Sequence, residues 1–289
     1  ADPKDTNVVA APQVSPEWSK DGGMTWANGF GAGDNHDIWW APDDSKRLVM
    51  VHDNGAVITT DGGTTRVNVE VPTGQFYHVH LTNAFPYDVC GSKQDAGPNC
   101  GPVRTQGGGR GGGGGGGGGR GGAQGPTYSQ FYGIAGGESG YIASDPLDPD
   151  ITYGGNYSGV LQVFNRRTGL SERLDPWPLN PMGHDAVDSK YRFQWTYPIM
   201  NSPFNPHVLY VGSNVVFKSM DDGKTWSIIS PDLTRHDPKT LGSAGGPITK
   251  DQTSVEYYGT VFALQESPIV PGLLWAGSDD GLIHVTRDG

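Results

Sequence analysis

The sequence predicts an all-β protein, a β-propeller of four-stranded antiparallel blades, and three observations lead there. Glycine (46 residues) and proline (22) punctuate the chain throughout, which suits many short strands joined by tight turns and argues against long helices. A proline turn followed by an apolar, β-rich run recurs, anchored on Pro3, Pro42, Pro86, Pro146, Pro203 and Pro268. Those anchors lie about 40–65 residues apart, the spacing of propeller blades. Finally, the octapeptide SKDGGMTW at 19–26 returns as SMDDGKTW at 219–226, with Ser, Asp, Gly and Trp at the same offsets.

Taken in order, each unit reads as strand, proline turn, strand, short Gly/Asn turn, strand, Asp-Gly hairpin, strand. The first unit (DPKDTNVVAA, then SKDGGMTW) opens at its second strand. The second is the clearest: HDIWWAP, KRLVMV, GAVITT and TTRVNVEV supply four strands, with TTDGGTTR as the hairpin. In the third, AFPYDVCG leads into CGSKQDAGPNC, whose short loop a Cys90–Cys100 disulfide would close, favouring an oxidising compartment. That unit also holds an insertion at 107–125, 15 of whose 19 residues are glycine, which reads as a flexible loop. The fourth unit carries DPLDPDITYGG and a worn hairpin, FNRRTGLS; the fifth, SPFNPHVLYVGS and SMDDGKTW; the sixth, SPIVPGLLWAGS and TRDG at 286–289. About six units result. With an inner strand wanting in the first and an outer one in the last, the expectation is a single domain over 1–289, incomplete at both ends and completed by further polypeptide as part of a seven-bladed or double propeller.

The repeated octapeptide is a corner in physical terms. An Asp entering a hairpin accepts hydrogen bonds from backbone N–H groups across the turn, Gly supplies positive φ, and Ser or Thr adds a local bond of the same kind. The Trp covers the turn and packs between sheets. Ser19, Asp21, Gly23 and Trp26, Asp61 and Gly63, Ser219, Asp221, Gly223 and Trp226, and Asp288 are therefore read as structural, not catalytic.

A net charge of −11 disfavours nucleic acid, since phosphate contacts need basic side chains, and two arginines in the glycine tract (Arg110, Arg120) do not make an RNA-binding RGG segment. No apolar run is long enough to span a bilayer.

In this strand order the loops between units share one face with the turns joining second and third strands. Sorting polar residues by loop places there His36, Asp53, His78, Gln94, Asp95, Tyr157, Arg192, Gln194, Tyr257 and Asp279 as candidate ligand contacts. Asp37, Glu138, Glu256 and Asp280 are the carboxylates that could act in pairs, as glycoside hydrolysis requires. HDN (52–54), HVH (78–80) and GDNHD (33–37) bring His and Asp near one another, so a bound Ca²⁺ or Zn²⁺ is conceivable, but no metal-ligand spacing stands out and no cofactor is expected.

SKDGGMTW and SMDDGKTW resemble the Asp-box (BNR) repeat of sialidases, of the sortilin Vps10 propeller and of xyloglucan-hydrolysing propellers. GDNHDIWWAPDD, QFYHVHLTNAFPY, GGESGYIASDPLDPDITYGGNYSGV, KYRFQWTYPI, ISPDLTRHDP, GGPITKD and WAGSDDGLIHVTRDG resemble more closely a group of large exported bacterial proteins described as BNR-repeat glycosyl hydrolases or sortilin-N-terminal-like. That resemblance implies a secreted, periplasmic or cell-surface propeller within a longer polypeptide. It does not extend to sialidase chemistry: the Arg-Ile-Pro signature is absent, and of the arginines needed to clamp a carboxylate only Arg192 falls in a mouth loop. Two main expectations follow. The first is a propeller binding a protein or glycan at its channel mouth; the alternative is a glycoside hydrolase acting on a polysaccharide. A third is an architectural piece of a larger extracellular assembly.

Overall fold

The computed structural model describes residues 1–70, 74–104, 128–255 and 257–289; the glycine tract and Glu256 lie outside the described residues. The protein is all-β, built of successive antiparallel sheets in the manner of propeller blades, with a few single-turn 3₁₀ segments. No helix of the described residues is long and apolar enough to cross a membrane. The chain forms two compact units, Ala1–Thr73 and Gly74–Gly289.

The first unit holds two sheets. One is three-stranded, β1 (Val9–Ala11), β2 (Glu17–Ser19) and β3 (Ala27–Asn28); the other is four-stranded, β4 (Asn35–Ala41), β5 (Asp44–His52), β6 (Gly55–Thr59) and β7 (Val67–Glu70). Burial alternates along the strands formed by KRLVMV and GAVITT: Leu48, Met50 and Val57 are buried, while Val51 is exposed. Met50 stands opposite Val57 on the core face. Trp18 stacks on Phe30 with ring centroids 4.8 Å apart and meets Trp40 edge-on at 5.5 Å.

Among the described residues the second unit holds five further sheets in chain order. They are β8 (His80–Leu81), β9 (Asp88–Gly91), β10 (Asn99–Pro102) and β11 (Tyr132–Gly133); then β12 (Ile142–Ser144), β13 (Ile151–Asn156), β14 (Val160–Asn165) and β15 (Leu170–Arg173). The next comprises β16 (Ile199–Asn201), β17 (Leu209–Gly212), β18 (Val216–Ser219) and β19 (Ser227–Ile228). A small hairpin of β20 (Ala244–Gly245) and β21 (Lys250–Asp251), which no sequence signal announced, precedes the three-stranded β22 (Val261–Glu266), β23 (Leu274–Ser278) and β24 (Ile283–Thr286). First strands of successive sheets lie side by side, β8 against β12, β12 against β16, β16 against β22, as inner strands of neighbouring blades do. Between the sheets sit apolar layers: Tyr153, Leu161, Leu209 and Phe217 in one, Val216, Val261, Leu264 and Leu274 in the next.

Cys90 and Cys100 form the expected disulfide. They face each other directly across β9 and β10 and are buried.

The corners are nearly superimposable in their hydrogen bonding. The Ser19 hydroxyl donates to Asp21 Oδ1 (2.7 Å) and accepts from Gly23 N (2.8 Å), while Asp21 accepts from Thr25 N (2.8 Å) and Thr25 Oγ1 (2.6 Å). Thr59, Asp61, Gly63 and Thr65 repeat these bonds, as do Ser219, Asp221, Gly223 and Thr225. Gly23, Gly63 and Gly223 all have φ between 86° and 92°, the left-handed region a side chain would strain. Thr286 Oγ1 donates to Asp288 Oδ1 at 2.6 Å, the start of another such corner. The hydroxyl and backbone donors of Thr25 and Thr65 push the Asp21 and Asp61 carboxyls down to about 2. The fourth position differs between copies. Trp226 reaches across to the preceding sheet and donates Nε1 to Leu174 O (2.9 Å), whereas Trp26 bonds its own Gly23 O (3.0 Å) and is 42 % exposed. Arg66 replaces the Trp in the second corner, where it bonds Gly63 O and lies over Phe30.

Candidate functional site

Within the second unit, the turns between second and third strands and the loops between sheets form one polar strip, knit together by hydrogen bonds. Its centre is Gln94, on the β9–β10 turn. Gln94 Nε2 donates to both Asp95 Oδ1 and Glu138 Oε2, each at 2.9 Å, and Asp95 N donates to the same Glu138 oxygen at 3.1 Å. The Tyr77 hydroxyl donates to Gln94 Oε1, which fixes which end of the amide faces the carboxylates. Asp95 is exposed and Glu138 half-buried.

Glycine brings Glu138 to this place. In GGESG (136–140) and YGGN (153–156) backbone touches backbone: a Cβ on Gly140 would lie 1.9 Å from Gly155 O, and one on Gly154 would lie 2.0 Å from Ala135 O. Gly137 N donates to Gly155 O, and the Ser139 hydroxyl donates to the Asn156 side chain at 3.5 Å, so the residues flanking Glu138 are clamped to β13. Directly after Asn156 comes Tyr157, stacked on Trp195 with centroids 5.3 Å apart and planes 13° from parallel. Both rings are half-buried. Ser158, which follows at φ 62°, donates to the hydroxyl of Ser254 at 2.8 Å. A carboxylate pair and an aromatic pair thus sit on adjoining loops.

Other expected contacts sit differently. Arg192 is 1 % exposed; its guanidinium donates to Gly259 O, Asp232 and Thr234 at 3.0–3.1 Å. Asp232 also accepts from Asn214 and His236, and although burial raises its pKa, the hydrogen bonds from Thr234, Asn214 and His236 hold the carboxyl well below the usual range. Tyr257 is buried, with its hydroxyl on Pro181 O. Asp279 accepts from Gly259 N, Thr260 N and the Thr260 hydroxyl, and Asp280 accepts from Arg235 N. Gln194 caps Thr196 N at 3.2 Å. Gln194 acts within its own loop; the other side chains fasten loops to one another.

The histidines disperse. His78 stacks on Tyr141 at 3.8 Å, and the desolvation lowers its pKa. His80 bonds the Ser144 hydroxyl at 2.8 Å, and burial pushes it down to about 4. In the first unit, His36 pairs with Asp53, while Asp37 is exposed and accepts from Ile38 N. Among the described residues no group of three or more His, Cys, Asp or Glu side chains is arranged to hold a metal.

Trp195, Asp232 and Tyr141 were not singled out from sequence. QWTY beside two other aromatics, and the polar run PDLTRHD, were the available signals.

No family model matches the chain, and no curated protein does. Among solved structures it is similar to a GH74 xyloglucanase from Xanthomonas campestris, at 15 % identity and TM-score 0.42, over 99 % of this chain and 44 % of that one. It is also similar to a GH74 enzyme of Niastella koreensis (13 %, TM-score 0.31, 100 % and 36 %) and to an ancestral GH74 enzyme (13 %, TM-score 0.28, 99 % and 29 %). The chain spans less than half the length of each.

Proposed function

We propose that the loop face of residues 74–289 engages a polysaccharide and that Asp95 and Glu138 are the carboxylate pair of a glycoside hydrolase acting on it. One observation carries this reading. Two 2.9 Å bonds to one amide nitrogen hold the two carboxylate oxygens within about 6 Å, close to the ~5–5.5 Å at which a pair cleaves with retention. The Tyr157–Trp195 rings on the adjoining loop supply flat apolar surface of the kind that sugar rings stack on. In this reading Glu138, the more enclosed of the two, takes the acid/base role and exposed Asp95 that of the nucleophile. The disulfide fits a secreted or cell-surface location.

A second reading, a propeller that binds a glycan or protein without cleaving it, draws on Asp279 and Asp280, which are tied to backbone N–H groups and Arg235. Incubation with a panel of β-glucans and hemicelluloses, xyloglucan included, separates the two. Release of reducing ends that E138Q and D95N lose while still retarding on the same polysaccharide in affinity electrophoresis supports the hydrolase. Retardation without release by the wild type supports binding alone, and neither retardation nor release on any polysaccharide overturns the glycan reading.

A further inference from the structure

Both ends of the loop between β15 and β16, residues 174–198, are tied to the start of β14, beside the turn that carries Tyr157. At one end Leu174 N donates to Leu161 O and Asp175 Oδ1 accepts from Leu161 N, each at 2.9 Å; at the other the Tyr197 hydroxyl donates to Val160 O at 2.6 Å. Two residues inward from these anchors stand two tryptophans. One is Trp195, the partner of Tyr157; the other is Trp177, 37 % exposed. Trp177 meets the buried Tyr191 edge-on with centroids 5.0 Å apart, and the Lys190 ammonium lies 5.0 Å from the Trp177 centroid and 5.1 Å from that of Tyr191. Tyr191 in turn packs edge-on against Phe217 at 5.1 Å, so the exposed indole and the lysine rest on the core layer.

Lys190 contrasts with the arginines nearby. Arg166, Arg167, Arg173 and Arg192 pair with carboxylates, whereas Lys190 is exposed and makes no ion pair among the described residues. The carboxylates of its own loop are engaged elsewhere: Asp175 with Arg173 and Leu161 N, Asp188 with Asp185 N, and Asp185 with Ser243 and Gln252. Ring faces attract an ammonium without neutralising it, so the charge stands open beside the indole.

We propose, on the reading that this loop face engages a polysaccharide, that Trp177 and Lys190 form an outer subsite for a sugar bearing an anionic group, a uronic-acid carboxylate or a sulfate ester, and hence that the polymer is an acidic one. The sugar ring would lie on the exposed part of the indole while an anionic oxygen accepts from the Lys190 ammonium, an ion pair sheltered on one side by the two rings. A carboxylate on an extended peptide would engage the lysine alone. Two aromatic platforms flanking one turn, Trp177 on one side and Tyr157 with Trp195 on the other, suit a chain of rings.

The test is affinity electrophoresis, in the cold, on matched polymers: homogalacturonan and glucuronoxylan, each beside its carboxyl-reduced form, and a carrageenan beside its desulfated form. The wild type is expected to bind the charged member of at least one pair about tenfold more tightly, the worth of one hydrogen bond to a charged group, and the pair that shows it identifies the anion. Lys190→Gln, which keeps the apolar stem, should bring the two members within about twofold of each other, while Lys190→Arg retains the preference. Trp177→Ala should weaken binding of both members alike. Lys224→Gln, at an exposed lysine on the corner at the opposite end of its sheet, should change nothing. A preference that survives in Lys190→Gln, undiminished binding by Trp177→Ala, or wild-type binding that is equal within every pair overturns the acidic subsite and leaves the polysaccharide reading standing. Retardation on no polysaccharide overturns both. Displacement of the bound polymer by poly-glutamate at lower concentrations than by its own oligosaccharides would assign Lys190 to an acidic peptide and overturn the subsite equally.

Discussion

Trp226 and Trp26 occupy the same position in two copies of one motif, yet the physics assigns them different weights. Trp226 packs into the layer containing Leu161, Leu174 and Phe217 and anchors one sheet to the next through Leu174 O. Trp26 lies 42 % exposed over its own turn. Replacing Trp226 by Ala should therefore cost about 3 kcal/mol or more, in the range for large aromatic truncations. Trp26→Ala should cost less than about 1 kcal/mol, and paired urea denaturation curves measure the difference. A second prediction rests on His80. Burial lowers its folded pKa to about 4 from an ordinary 6.5, so the unfolded chain binds the proton more readily. Stability from this group is complete above pH 6.5 and is lost as pH falls towards 4, by up to about 3 kcal/mol on the scale of 1.36 kcal/mol per unit. Thermal melts of wild type and His80→Gln across pH 4–7 should show the slope flattened in the variant. The corner carboxylates act in the same direction but lower: with Asp21 and Asp61 held at about 2, their contribution is present above 3.8 and disappears as pH drops through 2.

Most of what was legible in the sequence lies at the level of the element, because it is encoded locally. The proline turns, the Gly/Asn turns and the Asp-Gly corners each need particular backbone dihedrals and a donor–acceptor set only a few residues long, and HDIWWAP, KRLVMV, GAVITT and VNVE became β4 to β7. The Cys pair was legible for the same reason, since a short loop with Gly and Pro closes easily. Reducing Cys90–Cys100 removes a constraint on a loop of sequence separation 10, worth about 3 kcal/mol in the chain-entropy account. A lowered melting temperature in dithiothreitol, abolished in the double Ser variant, checks this. What was not legible was which polar loop residues face solvent. Arg192, Tyr257 and Asp279 have the sequence look of mouth residues, but their partners (Asp232 and Gly259, Pro181, Thr260) come from other loops, and only tertiary packing reveals that they are committed. The β20–β21 hairpin escaped notice because its strands are two residues long and carry no alternation.

Across the whole molecule the two ends of the sheets divide the work. At the proline-turn end, serine, threonine and aspartate side chains are spent on closing hairpins. At the other end, Gly140, Gly154 and Gly155 let loops approach closely enough to set a carboxylate pair beside an aromatic pair. The measurement that tests this division most directly is a paired assay of Glu138→Gln and Asp221→Asn, recording the melting temperature of each and its release of reducing ends at a temperature where both are folded. We expect Glu138→Gln to keep the wild-type melting temperature and lose cleavage at least a hundredfold, with Asp221→Asn showing the reverse pattern. Cleavage surviving in Glu138→Gln, or vanishing in a folded Asp221→Asn, would contradict it.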